Sequence, residues 1–364
     1  MKAAKVAAVD IFCGAGGLTY GLRKAGIEVI RGIDIDESVR ETYTRNNRRV
    51  EFLNKDVRKL NPRELVRGID RSKKLFLLAG CAPCQPFSSQ NRTKCRRDPR
   101  RSLIRYFTRL VEKTLPDYVL VENVQGFINS SNPYQNELVS VLRKKGYKYS
   151  ERIVHAEEYG VPQHRHRYML LASRLGEIQF PEPRYGPATG VDYKTVRDAI
   201  RKYPSIEAGQ AYGNIPNHKS RKLSELNLKR IKLVPKNGGS RYALPETLQL
   251  KCHKWHDGHS DSYGRMCWDK PAPTLTCKCN SLSNGRFGHP TQNRAISLRE
   301  AAALQTFPDS YAFYGSDTAI AKHIGNAVPV LLATKIGKVI ANDSRAKIHE
   351  LPYLSDIPAE KEDS

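Results

Sequence analysis

The sequence that decides the fold is Asp10-Ile11-Phe12-Cys13-Gly14-Ala15-Gly16-Gly17, where an apolar strand-like segment (5–12) passes through a glycine-rich turn into a helix-like segment (18–25). Glycines at the carboxyl end of a strand let backbone N–H groups approach a ligand closely. The dinucleotide-binding fingerprint requires glycines at its first, third and sixth positions, and the sixth position counted from Gly14 is Thr19. That fingerprint therefore fails. A nucleoside ligand without a pyrophosphate fits the turn better, with a plain tight turn as the alternative.

Outward from this turn, strand-like and helix-like segments alternate up to about residue 175. The further predicted strands are 27–35, 75–79, 118–122 and 167–172, and the further predicted helices are 38–46, 101–114 and 135–145. This alternation predicts an α/β domain with a doubly wound, mostly parallel sheet. Asp34 ends the second predicted strand, 20 residues after Gly14, where an acid is placed to accept hydrogen bonds from ribose hydroxyls. A solvent-facing acid is the alternative.

The pattern changes from about Phe180, where prolines punctuate a polar region without βα alternation. We predict a second, smaller and irregular domain at 186–293. Helical character returns at 295–305 and again at 327–340, so the first domain is predicted to comprise 1–185 and 294–345. The polar tail at 346–364 is predicted to be disordered.

Composition limits the class of protein. The chain carries 61 Lys+Arg against 37 Asp+Glu, a net charge of +24, so a polyanionic partner is plausible, although ribosomal and membrane-surface proteins share this property. No apolar run approaches the roughly 20 residues of a membrane span, and the N-terminus does not resemble a signal peptide. Eight scattered cysteines do not make a secreted disulfide framework. We therefore expect a cytoplasmic protein with reduced thiols and no membrane partner.

A cysteine between two prolines follows the predicted strand at 75–79, in Gly80-Cys81-Ala82-Pro83-Cys84-Gln85-Pro86. The prolines stiffen the loop, so the Cys84 thiol is presented from a constrained backbone. Cys81 and Cys84 also form a Cys-x-x-Cys pair, which in other proteins is a redox or metal half-site. A tetrahedral zinc site needs two more ligands at matched spacing, and none lies nearby.

Two more polar groups follow predicted strands. Glu122 ends the strand at 118–122, where a carboxylate beside a nucleophilic thiol can serve as a general acid. In Gln163-His164-Arg165-His166-Arg167, the amide and both guanidiniums lie on one side of an extended chain. Each group alone has a simpler explanation as a polar strand end. Taken together and in this order, they predict a site.

Six ordered segments resemble the carbon-5 cytosine DNA methyltransferase family, and the resemblance covers nearly the whole chain outside the second domain. They are Asp10–Gly17, Pro83-Cys84-Gln85, Glu122-Asn123-Val124, Gln163-x-Arg165-x-Arg167, the segment from Arg299 to Asp309, and Gly325-Asn326-Ala327-Val328-Pro329. The resemblance implies a Rossmann-like methyltransferase fold and an enzyme. It further implies transfer of a methyl group from S-adenosylmethionine to carbon-5 of a cytosine flipped out of double-stranded DNA.

The resemblance also implies a role for each catalytic residue. Cys84 would add to carbon-6 of the base, because carbon-5 is otherwise a poor nucleophile. Glu122 would protonate or hydrogen-bond N3, Arg167 would contact O2, and Arg165 would organise the site.

For the cofactor, the resemblance places Phe12 against the adenine and three glycines along the amino-acid tail, namely Gly14, Gly16 and Gly17. Asp34 would bind the ribose and Asp56 the adenine amino group, with Asn326 closing the pocket. Many relatives have Glu where this chain has Asp34. Because Asn326 lies far along the chain, we expect the helix at 327–340 to pack back on the first domain.

A basic segment follows the predicted nucleophile. Residues 91–109 contain eight Lys or Arg and one Asp, and Arg101, Arg105 and Arg109 recur every four residues as a helical stripe. We hypothesise that this segment closes over DNA phosphates, with a solvated helix face as the alternative. The residues proposed to contact DNA are Gln85, Arg97, Arg101, Arg105 and Thr274.

The second domain holds 18 Lys+Arg and 8 Asp+Glu, and the resemblance makes it the target-recognition domain. The Cys and His residues between 252 and 279 match no standard zinc finger, so we predict no metal.

Three alternative functions remain at this stage. They are a tRNA cytosine-5 methyltransferase, a non-catalytic DNA-binding relative, and a nucleotide-dependent oxidoreductase, which the glycine spacing disfavours. We expect a monomeric microbial enzyme that protects host DNA from a cognate restriction endonuclease.

Overall fold

A seven-stranded sheet forms the centre of the molecule, in a computed structural model that describes residues 6–82, 102–128, 132–250 and 261–347. Its strands are β1 (Val6–Ile11), β2 (Glu28–Asp34), β3 (Glu51–Asn54), β4 (Leu75–Gly80), β5 (Tyr118–Val124), β6 (Lys148–His155) and β7 (His166–Ser173). The strand order is β3-β2-β1-β4-β5-β7-β6. The first five strands are parallel, whereas β7 runs antiparallel to both β5 and β6. The predicted doubly wound, mostly parallel fold is confirmed.

Helices cover both faces of this sheet. The helices of the described residues are α1 (Gly17–Lys24), α2 (Arg40–Asn46), α3 (Pro62–Val66), α4 (Leu103–Thr114), α5 (Pro133–Lys144), α6 (Val196–Ile200), α7 (Glu225–Leu233), α8 (Leu298–Leu304), α9 (Asp317–Asn326) and α10 (Val330–Lys347), and those that pack on the sheet include α1, α4, α5 and α10. On one face, Leu77 of β4 shares a hydrophobic cluster with α1 and α10. On the other, Leu78 shares a cluster with Phe107 of α4 and Leu138 of α5. Strands buried on both sides explain the continuous apolar runs of β1 and β4.

The sequence did not predict β3, β6 or α3. β3 has four residues, Glu51-Phe52-Leu53-Asn54, too few for a periodic signal. β6 is an edge strand in which only Val154 is buried, so its sequence lacks the apolar character of the central strands. β3 forms beside β2, and β6 forms beside β7, because the backbone N–H and C=O groups along those neighbouring strands would otherwise lack hydrogen-bond partners.

The apolar stretch Asp317–Lys347 is long enough and apolar enough to cross a membrane by length and composition alone. Within the fold it is divided into α9 and α10, and Leu332, Ile336 and Ile340 of α10 are buried in the core beside α1. It is therefore a core element of this structure. α10 extends to Lys347, so residues 346 and 347 of the predicted tail are helical; the rest of the tail lies outside the described residues.

The described part of 186–293 consists of short helices and turns around a small cluster that includes Ile231, Val234 and Tyr263. It also shares a core with the segment that follows, because Val196 and Ile200 of α6 pack in the same cluster as Leu298 of α8. The contact between the two regions is thus a continuous hydrophobic core.

α1 and α10 approach each other through glycines. A Cβ added to Gly21 would lie 2.4 Å from the Ala333 Cβ and 2.7 Å from the Val330 carbonyl oxygen. A Cβ added to Gly337 would lie 2.8 Å from the Ala25 Cβ. Such distances leave no room for a methyl group, so the contact requires glycine on both helices.

Gly21→Ala should lower the free energy of unfolding by about 1–3 kcal/mol, the usual cost of overpacking. This loss should exceed the gain in helix propensity that alanine brings. Urea denaturation followed by circular dichroism measures it. Gly213→Ala is the matched control, because a Cβ there meets open space. A Gly21→Ala midpoint equal to or above that of the unsubstituted protein would contradict the close contact.

Candidate active site

A cavity of about 420 Å³ opens where β1, β2, β4 and β5 end, and segments from both ends of the chain line it. Its volume lies within the range of small-molecule sites, about 300–1,000 Å³. Seven of the residues proposed from the sequence lie on its wall: Phe12, Gly14, Gly17, Asp34, Asp56, Glu122 and Asn326. Gly16 lies behind the turn, where an added Cβ would meet Asn47 and Tyr311 side chains at 2.5 and 2.9 Å. Gly16 therefore shapes the turn from the protein side.

The Asp34 carboxylate braces the glycine turn. Its Oδ2 accepts a hydrogen bond from the Gly14 backbone N–H at 2.9 Å, and its Oδ1 accepts one from the Asp36 N–H at 2.9 Å. Burial raises the pKa of Asp34, and these backbone N–H groups oppose that effect. Gly14 has φ 51°, and an added Cβ would meet open space, so its backbone faces the cavity without obstruction. Asp34 thus holds the turn open as well as lining the cavity.

A second acid, Asp10, lies beneath the turn and was noticed in the sequence only as part of the glycine motif. It is fully buried at the end of β1, and its Oδ2 accepts a hydrogen bond from the Thr19 hydroxyl at 2.7 Å. Thr19 is also 2.9 Å from the Tyr43 hydroxyl. Burial raises the pKa of Asp10 to about 7, and the nearby Asp34 carboxylate adds to this.

The far rim of the cavity is held by two ion pairs. Arg58 donates to Asp56 from its backbone N–H and its guanidinium, which holds the pKa of Asp56 below its usual range. Lys322 of α9 donates to the Asp36 carboxylate at 2.7 Å. Although burial works in the other direction, this ammonium and the Ser38 hydrogen bonds hold the pKa of Asp36 at about 2. The second pair could not be predicted from the sequence, because Asp36 and Lys322 lie far apart along the chain.

Glu122 lines the cavity and forms an ion pair with Arg167. The antiparallel β5–β7 pairing brings them together, and Arg167 Nε lies 3.2 Å from Glu122 Oε1. That oxygen is buried and has no hydrogen-bond partner among the described residues. A buried acceptor of this kind is costly unless a ligand completes it. The pair therefore places beside the cavity a carboxylate oxygen whose interaction with Arg167 is an ion pair at 3.2 Å without hydrogen-bond geometry.

The segment that carries the predicted nucleophile starts at the same wall. Cys81 and Ala82 line the cavity together with Glu122, and the Asn123 side chain donates to the Ala82 carbonyl at 3.3 Å. Four proposed residues lie outside the described residues, namely Cys84, Gln85, Arg97 and Arg101. The described geometry thus positions the start of their segment beside Glu122.

Arg165 connects β7 to the C-terminal part of the site. It is 2% exposed, and its Nη1 donates to the Gly325 carbonyl at 3.2 Å and to the Leu275 carbonyl at 3.4 Å. Gln163 lies on the same side and accepts a hydrogen bond from the Leu275 N–H at 2.9 Å. Arg165 therefore fixes the segment beside Asn326 and acts as a positioning residue. Thr274 donates its hydroxyl to the His164 carbonyl, so this side chain also supports the strand.

The arginine stripe on α4 has partners within the protein. Arg105 pairs with Glu137 of α5 at 2.9 Å, and Arg109 donates to the Leu60 carbonyl at 3.3 Å. In the second region, Arg265 is almost fully buried and donates to carbonyl groups that include those of Ile231 and Val234. The net charges of these two segments therefore overstate the cationic surface that they present.

The chain is similar to methylases over most of its length. The model of the family described as C-5 cytosine-specific DNA methylase matches residues 6–342. The Type II methylase M.HgiDII of Herpetosiphon aurantiacus is 41% identical, over 92% of this chain and 94% of its own length. The Type II methyltransferase M1.HphI of Haemophilus parahaemolyticus is 34% identical, over 91% and 86%. Among solved structures, a DNMT2 mutant from Spodoptera frugiperda matches with a TM-score of 0.64 at 18% identity, covering 92% of this chain and 99% of that chain. This last match shows a shared fold.

Asp10→Asn should change how stability depends on pH. An acid whose pKa is higher in the folded state than in the unfolded state costs stability as pH rises from the unfolded value, near 4, to the folded value of about 7. The variant lacks this cost, so its free energy of unfolding relative to the original protein should rise by up to about 4 kcal/mol between pH 4 and pH 8.

Urea titrations at several pH values measure this difference, with Asp192→Asn, an exposed acid, as the control. A difference between Asp10→Asn and the original protein that stays constant with pH would rule out the raised pKa.

Proposed function

The chain belongs to the C-5 cytosine-specific DNA methylase family, and on this basis we propose that it methylates a cytosine flipped out of double-stranded DNA, using S-adenosylmethionine and a covalent Cys84 adduct. The observation that carries the proposal is the shared cavity. It is lined by the glycine turn, by the carboxylates of Asp34 and Asp56, and by Glu122, which pairs with Arg167.

The coarser activity follows from family membership: the protein is a DNA cytosine-5 methyltransferase of the restriction–modification type. The similarity to the DNMT2 structure, at 18% identity, concerns the fold alone and does not favour the tRNA alternative. Glu122, Arg165 and Arg167 are all present, which argues against a non-catalytic relative.

S-adenosylmethionine fits the chemistry of the cavity. Asp34 and Asp56 offer carboxylate oxygens to the ribose hydroxyls and the adenine amino group, and Phe12 offers an apolar surface to the adenine. The open backbone at Gly14 suits the charged amino-acid tail. When bound, the cofactor supplies an electrophilic methyl group. Asn326, whose Oδ1 accepts a hydrogen bond from the Cys277 thiol at 3.0 Å, lies on the opposite wall and would close the pocket.

The side chains of Cys84, Glu122 and Arg167 suit activation of a pyrimidine ring. The Cys84 thiolate forms a bond to carbon-6, and the electron pair of the 5,6 double bond moves toward carbon-5. Glu122 in its protonated form donates a hydrogen bond or its proton to N3, and Arg167 binds O2, which together stabilise the charge that develops on the ring. After methylation, solvent water takes the carbon-5 proton, the electron pair of that C–H bond re-forms the 5,6 double bond, and the bond from carbon-6 to sulfur breaks to release the Cys84 thiolate. N3 returns its proton to Glu122, so both side chains regain their starting states.

The cytosine must leave the duplex for this chemistry. Inside a base stack, neither face of the ring is open to a thiolate and a methyl donor together, so the base is flipped out at a cost of a few kcal/mol. We propose that 186–293 is the target-recognition domain and that 1–185 with 294–345 forms the catalytic domain. The enzyme would act as a monomer on DNA in the cytoplasm and would protect it from a cognate endonuclease, in keeping with the Type II relatives.

Bisulfite sequencing of DNA from cells that express the protein should reveal one methylated sequence. A duplex with 5-fluorocytosine at that target, incubated with S-adenosylmethionine, should then trap a covalent complex, because fluorine cannot leave as the proton does. Cys84→Ala should abolish the complex, and Cys267→Ala should not. Methylation of tRNA but not DNA, or trapping that survives Cys84→Ala, would overturn the proposal.

Arg97→Ala combined with Arg101→Ala should weaken DNA binding and reduce the slope of log affinity against log salt by about 1 for each lost phosphate contact. Arg105→Ala should change the slope less, because Arg105 is already paired with Glu137. Fluorescence anisotropy at several salt concentrations measures both slopes. Equal slopes for the double variant and the original protein would reject phosphate contact by this segment.

A further inference from the structure

Two histidines and a glutamate lie together where β6 and β7 meet. We call them the His-Glu cluster: His155, Glu157 and His166. One ligand atom from each lies within 4.8 Å of those from the other two. His166 Nε2 is 2.9 Å from Glu157 Oε1, and the rings of His155 and His166 stack with their centroids 4.0 Å apart. His155 and His166 are direct cross-strand neighbours, so the sheet itself holds them together.

We propose that the His-Glu cluster binds one divalent transition-metal ion, with zinc as the representative, through both imidazoles and the carboxylate, with water completing the coordination. Two imidazoles and one carboxylate are a known zinc donor set, and imidazole also suits nickel and copper. The proposal is independent of the methylation chemistry. It concerns the side of β7 opposite to Arg167, because neighbouring residues of a strand face opposite sides.

The carboxylate is prepared to act as a ligand. The Glu157 side chain is only 5% exposed, and both His164 Nδ1 and His166 Nε2 lie within hydrogen-bond distance of its Oε1, at 3.0 and 2.9 Å. Its other oxygen, Oε2, accepts a hydrogen bond from the Arg165 backbone N–H at 3.2 Å, which fixes the orientation of the group.

The two rings are accessible and can adjust. The side chains of His155 and His166 are 42% and 41% exposed, so an ion can reach them from solvent. Zinc–ligand bonds of about 2.1 Å in a tetrahedron place ligand atoms roughly 3.4 Å apart. The widest separation in the cluster must therefore shorten, which half-exposed rings achieve by rotating about their side-chain bonds.

His164 contacts the Glu157 carboxylate without being one of the three proposed metal ligands. Its Nδ1 is 3.0 Å from Glu157 Oε1, the same oxygen that His166 contacts. When an ion takes the place of the His166 hydrogen bond, His164 remains as the donor that orients the carboxylate. Such outer hydrogen bonds tune a metal site without supplying a ligand. His164 is therefore a positioning residue in this site, and its loss should weaken binding less than loss of a ligand.

The test uses full-length, metal-free protein titrated with Zn²⁺ against a chromophoric chelator. One ion per chain should bind, and His155→Ala, His166→Ala and Glu157→Gln should each lower the affinity by about tenfold or more. His164→Ala should lower it less. The double variant His253→Ala/His256→Ala controls for the Cys/His-rich segment 252–279; both substituted residues lie outside the described residues. Zinc affinity lost in that double variant but retained in the cluster variants would overturn the proposal.

Thermal unfolding gives a second measurement that separates binding from folding. Because an ion that binds only the folded state stabilises it, saturating Zn²⁺ should raise the unfolding midpoint of the original protein and of the His253/His256 variant. His166→Ala should show no rise with metal above its own metal-free midpoint. A metal-induced rise of full size in His166→Ala would refute the cluster as the site. Neither measurement uses DNA or S-adenosylmethionine, so a failed methylation assay leaves this result intact.

Discussion

The close contact between α1 and α10 is the constraint on which the rest of the structure depends. Gly21 and Gly337 allow the two helices to approach until side chains and backbone of one touch the other. This contact brings the segment 322–328 close to the turn at 10–17. Residues of both segments line the cavity. A third glycine also permits a close backbone contact, because a Cβ on Gly325 would lie 2.1 Å from the Thr276 carbonyl oxygen. The cavity is therefore a product of tertiary packing between distant parts of the chain.

In the part of the molecule that lacks regular strands, the side chains of buried arginines donate the hydrogen bonds that backbone oxygens would receive within a sheet. Arg165 donates to the carbonyls of Leu275 and Gly325, and Arg299 donates to the carbonyl of Tyr311. Arg294 donates to the carbonyls of Ile206 and Ala295 and also makes a bidentate pair with Glu300 at 2.7 Å. Each of these groups satisfies backbone or carboxylate oxygens that no strand or helix satisfies. Some of the arginines that give the chain its positive net charge, and so suggest a polyanionic partner, therefore stabilise the fold.

The sequence predicted the parts of the fold that depend on local pattern. Apolar runs marked the central strands, and residues that end parallel strands, such as Asp34, reach one edge of a sheet by geometry alone. β6 escaped prediction because an edge strand needs no apolar pattern. The sequence also could not show that Asp36 pairs with Lys322 or that Arg105 pairs with Glu137, because these pairs form between elements that pack only in the folded chain.

β7 and the residues just before it make contacts on both faces of the sheet. The inward residues Arg165 and Arg167 reach Gly325 and Glu122, while His166 on the outward side reaches Glu157. Glu157 joins the two sides, because one of its oxygens contacts the histidines and the other accepts the Arg165 N–H. An edge strand is held by one neighbour only, so contacts across β6 and β7 decide how firmly this end of the sheet is fixed. The Glu157 carboxylate therefore couples the backbone at Arg165 on the inward side to His164 and His166 on the outward side.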